Sequence, residues 1–239
     1  MACAWHLWIA LLLTSALPGA AAEKPRLTLW AWDRAEDLRF LKPGEADVAA
    51  LLATYYIHKP SRDVSHRKLP LILRKDQSFE AVIRIEAAGG PDQIPEDFAW
   101  ELASSLFRDP RINSIQVDFD APVSMRGWYA EMLRKLRARV PRVTMTALAS
   151  WCIDKPWFFD KVSVEDVVPM LFRMGPSRNA VLQRLAKQGD FSEACRGTVG
   201  LSTDEPLAWR PPARRAYLFN PRRWTREDFD GACERLQLR

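Results

Sequence analysis

The chain has 239 residues, of which 48% are hydrophobic and 27% charged, with 10 Gly and 17 Pro, and this composition excludes a disordered or collagen-like polymer. Its net charge of +5 comes from Lys and Arg interspersed with acids rather than from a basic block, so a nucleic-acid partner is not indicated. No Lys, Arg, Asp or Glu precedes Glu23, and the apolar stretch from Trp8 to Leu17 is too short to span a bilayer. Pro18, Gly19 and the run Ala20-Ala21-Ala22 follow it. The pattern predicts a signal peptide over residues 1–22 and one domain over 23–239, periplasmic or secreted, with no membrane span after cleavage. An uncleaved interfacial anchor is the alternative, since only His6 stands where the basic start of a signal belongs.

Eight short runs rich in Val, Ile, Leu and aromatics follow in chain order: Leu27–Trp32, Val48–Ile57, Ala81–Ala87, Ser114–Phe119, Val143–Ala149, Val164–Phe172, Thr198–Ser202 and Ala216–Asn220. Helical patterns are expected over Pro95–Phe107, Ser124–Arg139, Ser177–Lys187 and Trp224–Leu236. The clearest is Ser124–Arg139, where Met125, Trp128, Met132 and Leu136 recur at three- and four-residue steps and Pro141 ends the pattern. Strands alternating with helices predict a parallel sheet, and eight of them predict an irregular α/β barrel of the (β/α)8 type, a single domain. An open α/β sheet with fewer strands is the competing topology. The stretch from His58 to Phe79, with Pro60 and Pro70, suggests a hairpin excursion in place of a helix. Pro206, Pro211 and Pro212 leave room for at most a short helical turn between the last two strands.

In such a barrel the chemistry sits at the C-terminal ends of the strands. Side chains alternate along Ser114-Ile115-Gln116-Val117-Asp118-Phe119-Asp120, so Gln116, Asp118 and Asp120 share the interior face while the apolar residues face the helices. Two neighbouring carboxylates repel, which raises the pKa of one and lets it serve as a general acid. Asp120, at the strand end, is the candidate acid, Asp118 its modulator and Glu86 a further catalytic candidate. Trp32, Arg84, Trp151, Arg173, Asp204, Glu205, Trp209 and Asn220 are the candidate substrate-binding residues. Trp151 and Trp209 are favoured for stacking on a sugar because they lie at or beyond strand ends. Each role has a structural counterpart: Arg84 and Glu86 as an internal ion pair with the Asp118 group, Asp204-Glu205 as a helix cap, Trp30 and Trp32 as barrel packing.

Elimination points the same way. After the leader only His58 and His66 remain, and neither GxGxxG nor GxxxxGK[ST] occurs, so His-driven, dinucleotide and nucleotide chemistry have no support. No metal site or cofactor is indicated, since no third acid is fixed beside Asp118 and Asp120. Carboxylate chemistry with aromatic platforms fits cleavage of a glycosidic bond. Of the cysteines after the leader, Cys195 and Cys233 are expected near the bottom of the barrel and Cys152 near its top, which favours a Cys195–Cys233 bridge over one involving Cys152.

The segment SIQVDFDAP resembles the fourth-strand motif of chitinase-like glycosidases, glycoside hydrolase family eighteen. Under that resemblance Asp118 takes the place of the inner Asp and Asp120 that of the catalytic Glu, whereas Gln116 departs from the first Asp. Met170-Leu171-Phe172-Arg173 is similar to the family's Met-x-Tyr-Asp, with Phe172 and Arg173 replacing Tyr and Asp. Asp is one methylene shorter than Glu, and a misplacement of about 1 Å can cost about a hundredfold in rate. The groups that would steady an acetamido intermediate are replaced as well, which argues against a chitinase proper. A longer resemblance, over about half of the chain after the leader, is to a bacterial family of exported proteins, the domain of unknown function numbered 3142. IQVDFDA with WYAEMLRKLR, VTMTALASWC, VEDVVPMLFRMG and GLSTDEP carry it. It implies the barrel and export, and no activity. The expectation is therefore a glycoside-hydrolase-like barrel acting on an envelope or periplasmic glycan. The alternative is a non-catalytic barrel that binds a saccharide or an envelope partner.

Overall fold

In a computed structural model, residues 24–58, 61–87, 98, 101, 104 and 109–238 are described. The expected leader and most of the expected Pro95–Phe107 helix lie outside them. The strands in chain order are β1 (Arg26–Ala31), β2 (Glu36–Asp37), β3 (Asp47–His58), β4 (Ser61–His66), β5 (Leu71–Ile72), β6 (Phe79–Ala87), β7 (Ile112–Asp118), β8 (Val143–Leu148), β9 (Asp166–Met170), β10 (Gly197–Ser202) and β11 (Ala213–Phe219). Eight of them, β1, β3 and β6 to β11, pair in parallel, and β1 pairs with both β11 and β3, so the sheet closes on itself as a barrel. These eight strands coincide with the eight apolar runs, and the closed barrel replaces the open-sheet alternative.

The irregular parts also follow the sequence. β4 folds back antiparallel on β3, and β5 pairs with β2, so the proline-bearing excursion is a hairpin and a small two-stranded patch. No helix forms between β10 and β11, where prolines remove backbone donors. The described helices of two or more turns are α1 (Arg126–Arg137), α2 (Arg178–Gln188) and α3 (Arg226–Arg235). Thr225 starts α3 by accepting a hydrogen bond from the Asp228 backbone N–H at 3.0 Å.

Helix α1 shows why the barrel holds. Tyr129, Met132, Leu133 and Leu136 are buried, and Tyr129 packs against Phe119 just past β7, its ring 5.1 Å away, and donates to the Val117 carbonyl at 3.4 Å. Burying one such side chain contributes about 1.5–3 kcal/mol, and Leu133→Ala would cost about 2–5 kcal/mol. A smaller cluster inside the barrel contains Trp30, Leu51, Val82, Val168, Tyr217 and Phe219. Period-two alternation thus sends Ile115, Val117 and Phe119 outward and Ser114, Gln116 and Asp118 inward.

The disulfide differs from expectation. Cys152 and Cys195 are bridged, with Cα atoms 5.7 Å apart, and Cys233 is a buried thiol. Cys152 was expected at the barrel mouth, but after β8 the chain tightens into the 3-10 turn Ala149–Cys152 and packs into the shell outside the strands. There it meets the turn Glu193–Cys195, and the Ser192 N–H donates to the Cys152 carbonyl at 2.9 Å. A turn of 3-10 helix in place of a longer excursion brings together two cysteines that the simple top-and-bottom scheme separates. Among the described residues no helix is long and apolar enough to cross a membrane.

Candidate active site

Strand β7 delivers Asp118 into the barrel interior, where it is almost completely buried. Its two oxygens have separate partners. Thr146 Oγ1 on β8 donates to Oδ1 at 2.7 Å, and Arg84 Nη1 on β6 donates to Oδ2 at 3.1 Å. Arg84 is the register partner of Asp118 across the β6–β7 ladder, so the ion pair follows from strand pairing itself. The same guanidinium donates through Nε to Glu86 at 2.9 Å. Burial pushes the Asp118 pKa up, and Arg84 and Thr146 oppose that rise without cancelling it.

Asp120 stands just beyond the end of β7, exposed at the mouth. Partial desolvation and then the charge of Asp118 push its pKa up, against the pull of Arg84. Both carboxyls line a cavity of about 420 Å³, together with Trp32, Arg84, Phe172 and Phe219. Trp30, Trp32, Phe172 and Phe219 form a chain of rings, with centroids 4.6 Å apart for Trp30–Phe219 and for Phe172–Phe219 and 5.5 Å apart for Trp30–Trp32. The cavity therefore has an aromatic wall facing an acidic one, a combination suited to a sugar ring. Asp118 is committed to Arg84, and among the described residues no ion pair engages Asp120.

The other predicted residues distribute unevenly. Arg173 and Asn220 line the same cavity. Asn220 is buried, its Oδ1 accepting from Thr203 Oγ1 at 2.8 Å and its Nδ2 donating to the Arg223 carbonyl at 3.2 Å. Arg173 has φ 52, a left-handed conformation uncommon outside glycine. It is held there by Asp204 at 2.6 Å and Glu205 at 3.1 Å, and its own N–H donates to the Glu205 carboxylate. Asp204 and Glu205 thus act on the rim through Arg173. Glu86 lines a neighbouring cleft of about 540 Å³, which shares Trp32, Arg34 and Arg84 with the main cavity.

Trp151 and Trp209 lie elsewhere. Trp151 belongs to an outer aromatic group with Trp157 and Phe158, under the guanidinium of Arg126. Trp209 is exposed on the β10–β11 connection and lines neither the cavity nor its neighbour. Position after a strand was a poor guide in both cases, since the chain turns outward after β8 and leaves the mouth after β10. The sequence reading missed Arg34, whose guanidinium donates to the Pro221 carbonyl at 2.6 Å and the Asn220 carbonyl at 3.1 Å. It also missed Thr146 and Glu80, although the alternations Thr144, Thr146 and Glu80, Val82, Arg84 put both on interior faces.

A search of solved structures finds likeness to a fungal endo-beta-N-acetylglucosaminidase from glycosyl hydrolase family 18, with a TM-score of 0.55 and 12% sequence identity over 90% of this chain and 98% of that one. At that identity the likeness is one of fold. No protein-family model matches the chain, and no curated protein matches it.

Proposed function

We propose that this glycoside-hydrolase-like barrel cleaves a glycan, with Asp120 as the proton donor and the Asp118–Arg84 pair setting its acidity. The observation that carries the reading is the raised-pKa carboxyl of Asp120 just past β7, with no ion pair among the described residues and an aromatic wall across the cavity. A raised pKa widens the pH range over which the carboxyl holds the proton that a departing glycosidic oxygen needs. Trp32 and the Phe172–Phe219 rings would hold a sugar face, and Arg173 and Asn220 would bound it.

The leader and the resemblance to the exported bacterial family support placement in the envelope, where the substrate would be a periplasmic or cell-wall glycan. N-terminal sequencing of secreted protein is expected to begin near Glu23, and an intact Met1 or Ala2 would overturn export by cleavage.

One observation favours the binding reading instead: the second carboxyl of the cavity, Asp118, is already occupied by Arg84 and Thr146. A glycan panel separates the two readings. Under hydrolysis Asp120→Asn is expected to lower turnover by about 10²–10⁴-fold while the protein stays folded. Under binding alone no glycan is cleaved, Asp120→Asn leaves affinity nearly unchanged, and Trp32→Ala weakens it. Trp151→Ala and Trp209→Ala are expected to change neither. Absence of both cleavage and binding across the panel would refute both readings.

A further inference from the structure

At the end of the barrel opposite the mouth, a cleft of about 740 Å³ opens beside the starts of β1, β10 and β11. It is lined by five cations, Lys24, Arg26, Arg196, Arg210 and Arg214, and by one acid, Asp190. At the mouth Arg84 is matched by Asp118 and Glu86, and Arg173 by Asp204 and Glu205.

Some of the five cations are neutralised from below. Arg26 meets Asp47 at 2.6 Å, and Arg214 donates to Asp166, which also faces Arg215. Arg196 makes a longer ion pair with Asp190 at 3.7 Å, and its Nε donates to the Phe191 carbonyl at 3.0 Å, which leaves its terminal NH₂ groups for a ligand. Arg210 has no carboxylate partner among the described residues, and its one described hydrogen bond goes to the Gln237 carbonyl at 3.5 Å. It is nevertheless half withdrawn from water, which lowers its pKa. Removing a charge from water without a counter-charge is costly, so this guanidinium is set to gain from an incoming anion.

The backbone is shaped around the same cleft. Gly197 pairs with Ala213 but Thr198 pairs with Arg215, so Arg214 is an extra residue bulged out of the β10–β11 ladder. A bulge re-aims a side chain. Gly197 has φ +85, and a Cβ there would stand 3.0 Å from Arg214 Nε. The guanidinium of Arg214 therefore crosses the face of a glycine that no other residue could replace without strain and displacement. A bulge, a left-handed glycine and a cation with no carboxylate partner among the described residues all converge on one concave surface.

We propose that this cleft is a binding site for a small phosphorylated ligand, its multiply charged oxyanion held by Arg196, Arg210 and Arg214. Planar guanidinium forks match phosphate oxygens in pairs, and an open concave cleft of this volume admits a small soluble anion. Calorimetric titration of the purified protein with inorganic pyrophosphate at low salt tests the site. Saturable binding is expected, weaker as salt rises, and reduced by roughly tenfold or more in Arg210→Gln and again in Arg196→Gln. Gly197→Ala is expected to weaken it too, by displacing Arg214, while circular dichroism reports each variant folded. No saturable binding up to about 10 mM pyrophosphate, or binding by both arginine variants as tight as that of the wild type, would overturn the proposal. So would Arg210-dependent flotation with phosphatidylglycerol vesicles in the absence of pyrophosphate binding, which would mark the patch as a membrane-facing surface.

Discussion

Arg84 and Asp118 are direct partners in the β6–β7 register, and their side chains meet at 3.1 Å inside the barrel. The pair makes the neighbourhood of Asp120 charge-balanced on one side and open on the other, since Arg84 also holds Glu86. Arg84 is partly open to solvent whereas Asp118 is not, so the energetic asymmetry falls on the acid.

Removing the base should therefore strand the acid. Arg84→Met would leave buried Asp118 with Thr146 as its remaining described donor, and the cost is expected to be about 1–3 kcal/mol, tempered by the exposure of Arg84. The Asp118 pKa, already raised, would rise further, so the loss should grow as pH increases and the carboxyl is forced to ionise. Urea unfolding at pH 5 and pH 8 measures it. Equal stability of variant and wild type at both values would show that the pair contributes nothing.

The same pair should be visible in the pH dependence of any hydrolysis. A general acid works only while protonated, so activity is lost as pH rises through the pKa of Asp120. Asp118→Asn removes the charge that helps raise that pKa and frees Arg84 to lower it, so the alkaline limb of the kcat/KM profile should move to lower pH. A limb that stays in place, or moves upward, would show that Asp118 does not tune the acid.

Much of the fold could be read from residue order because period-two alternation holds along most of the barrel, as in Ser114 to Phe119, although β3 changes phase at the bulge between Leu51 and Ala53. The acidic side of the site could be read for the same reason, since Arg84, Asp118 and Asp120 lie at predictable heights on predictable faces. What escaped was whatever depends on where the chain goes after a strand. Trp151 leaves the mouth because Ala149–Cys152 tightens into a 3-10 turn, and no hydrophobic period announces that turn. Arg34 escaped because its partners are the backbone carbonyls of Asn220 and Pro221, which any sequence supplies.

The Cys152–Cys195 bridge closes a separation of 43 residues, for which the chain-entropy model gives a stabilisation of about 4 kcal/mol. Cys195→Ser is expected to lose much of that, and non-reducing peptide mapping should show a Cys152–Cys195 linked fragment and Cys233 as a thiol. A Cys195–Cys233 fragment would restore the original expectation and contradict the turn after β8. Reductant should lower the midpoint of wild-type unfolding and leave that of Cys195→Ser unchanged.

Deeper in the barrel, Glu80 is buried beneath Asp118 in a shell of donors. Thr144 Oγ1 at 2.9 Å and Ser114 Oγ at 3.2 Å reach one oxygen, while Tyr217 Oη at 3.1 Å and Gln116 Nε2 at 3.2 Å reach the other. Burial still prevails over these bonds and raises its pKa from the ordinary 4.5. The folded protein thus binds a proton that the unfolded chain releases, so this contribution to stability is complete below about pH 4.5 and is lost as pH rises through the folded value. Glu80→Gln keeps the volume and removes the titration. Gln116 Oε1 has no hydrogen-bond partner among the described residues, so turning that amide over gives the new NH₂ an acceptor. The difference in unfolding free energy, wild type minus Glu80→Gln, should therefore decline between about pH 4.5 and pH 8. Using the difference cancels the similar slopes from Asp118 and Asp120. A flat difference curve would mean that Glu80 ionises in the fold as readily as in water, and that its four donors, not its burial, control it.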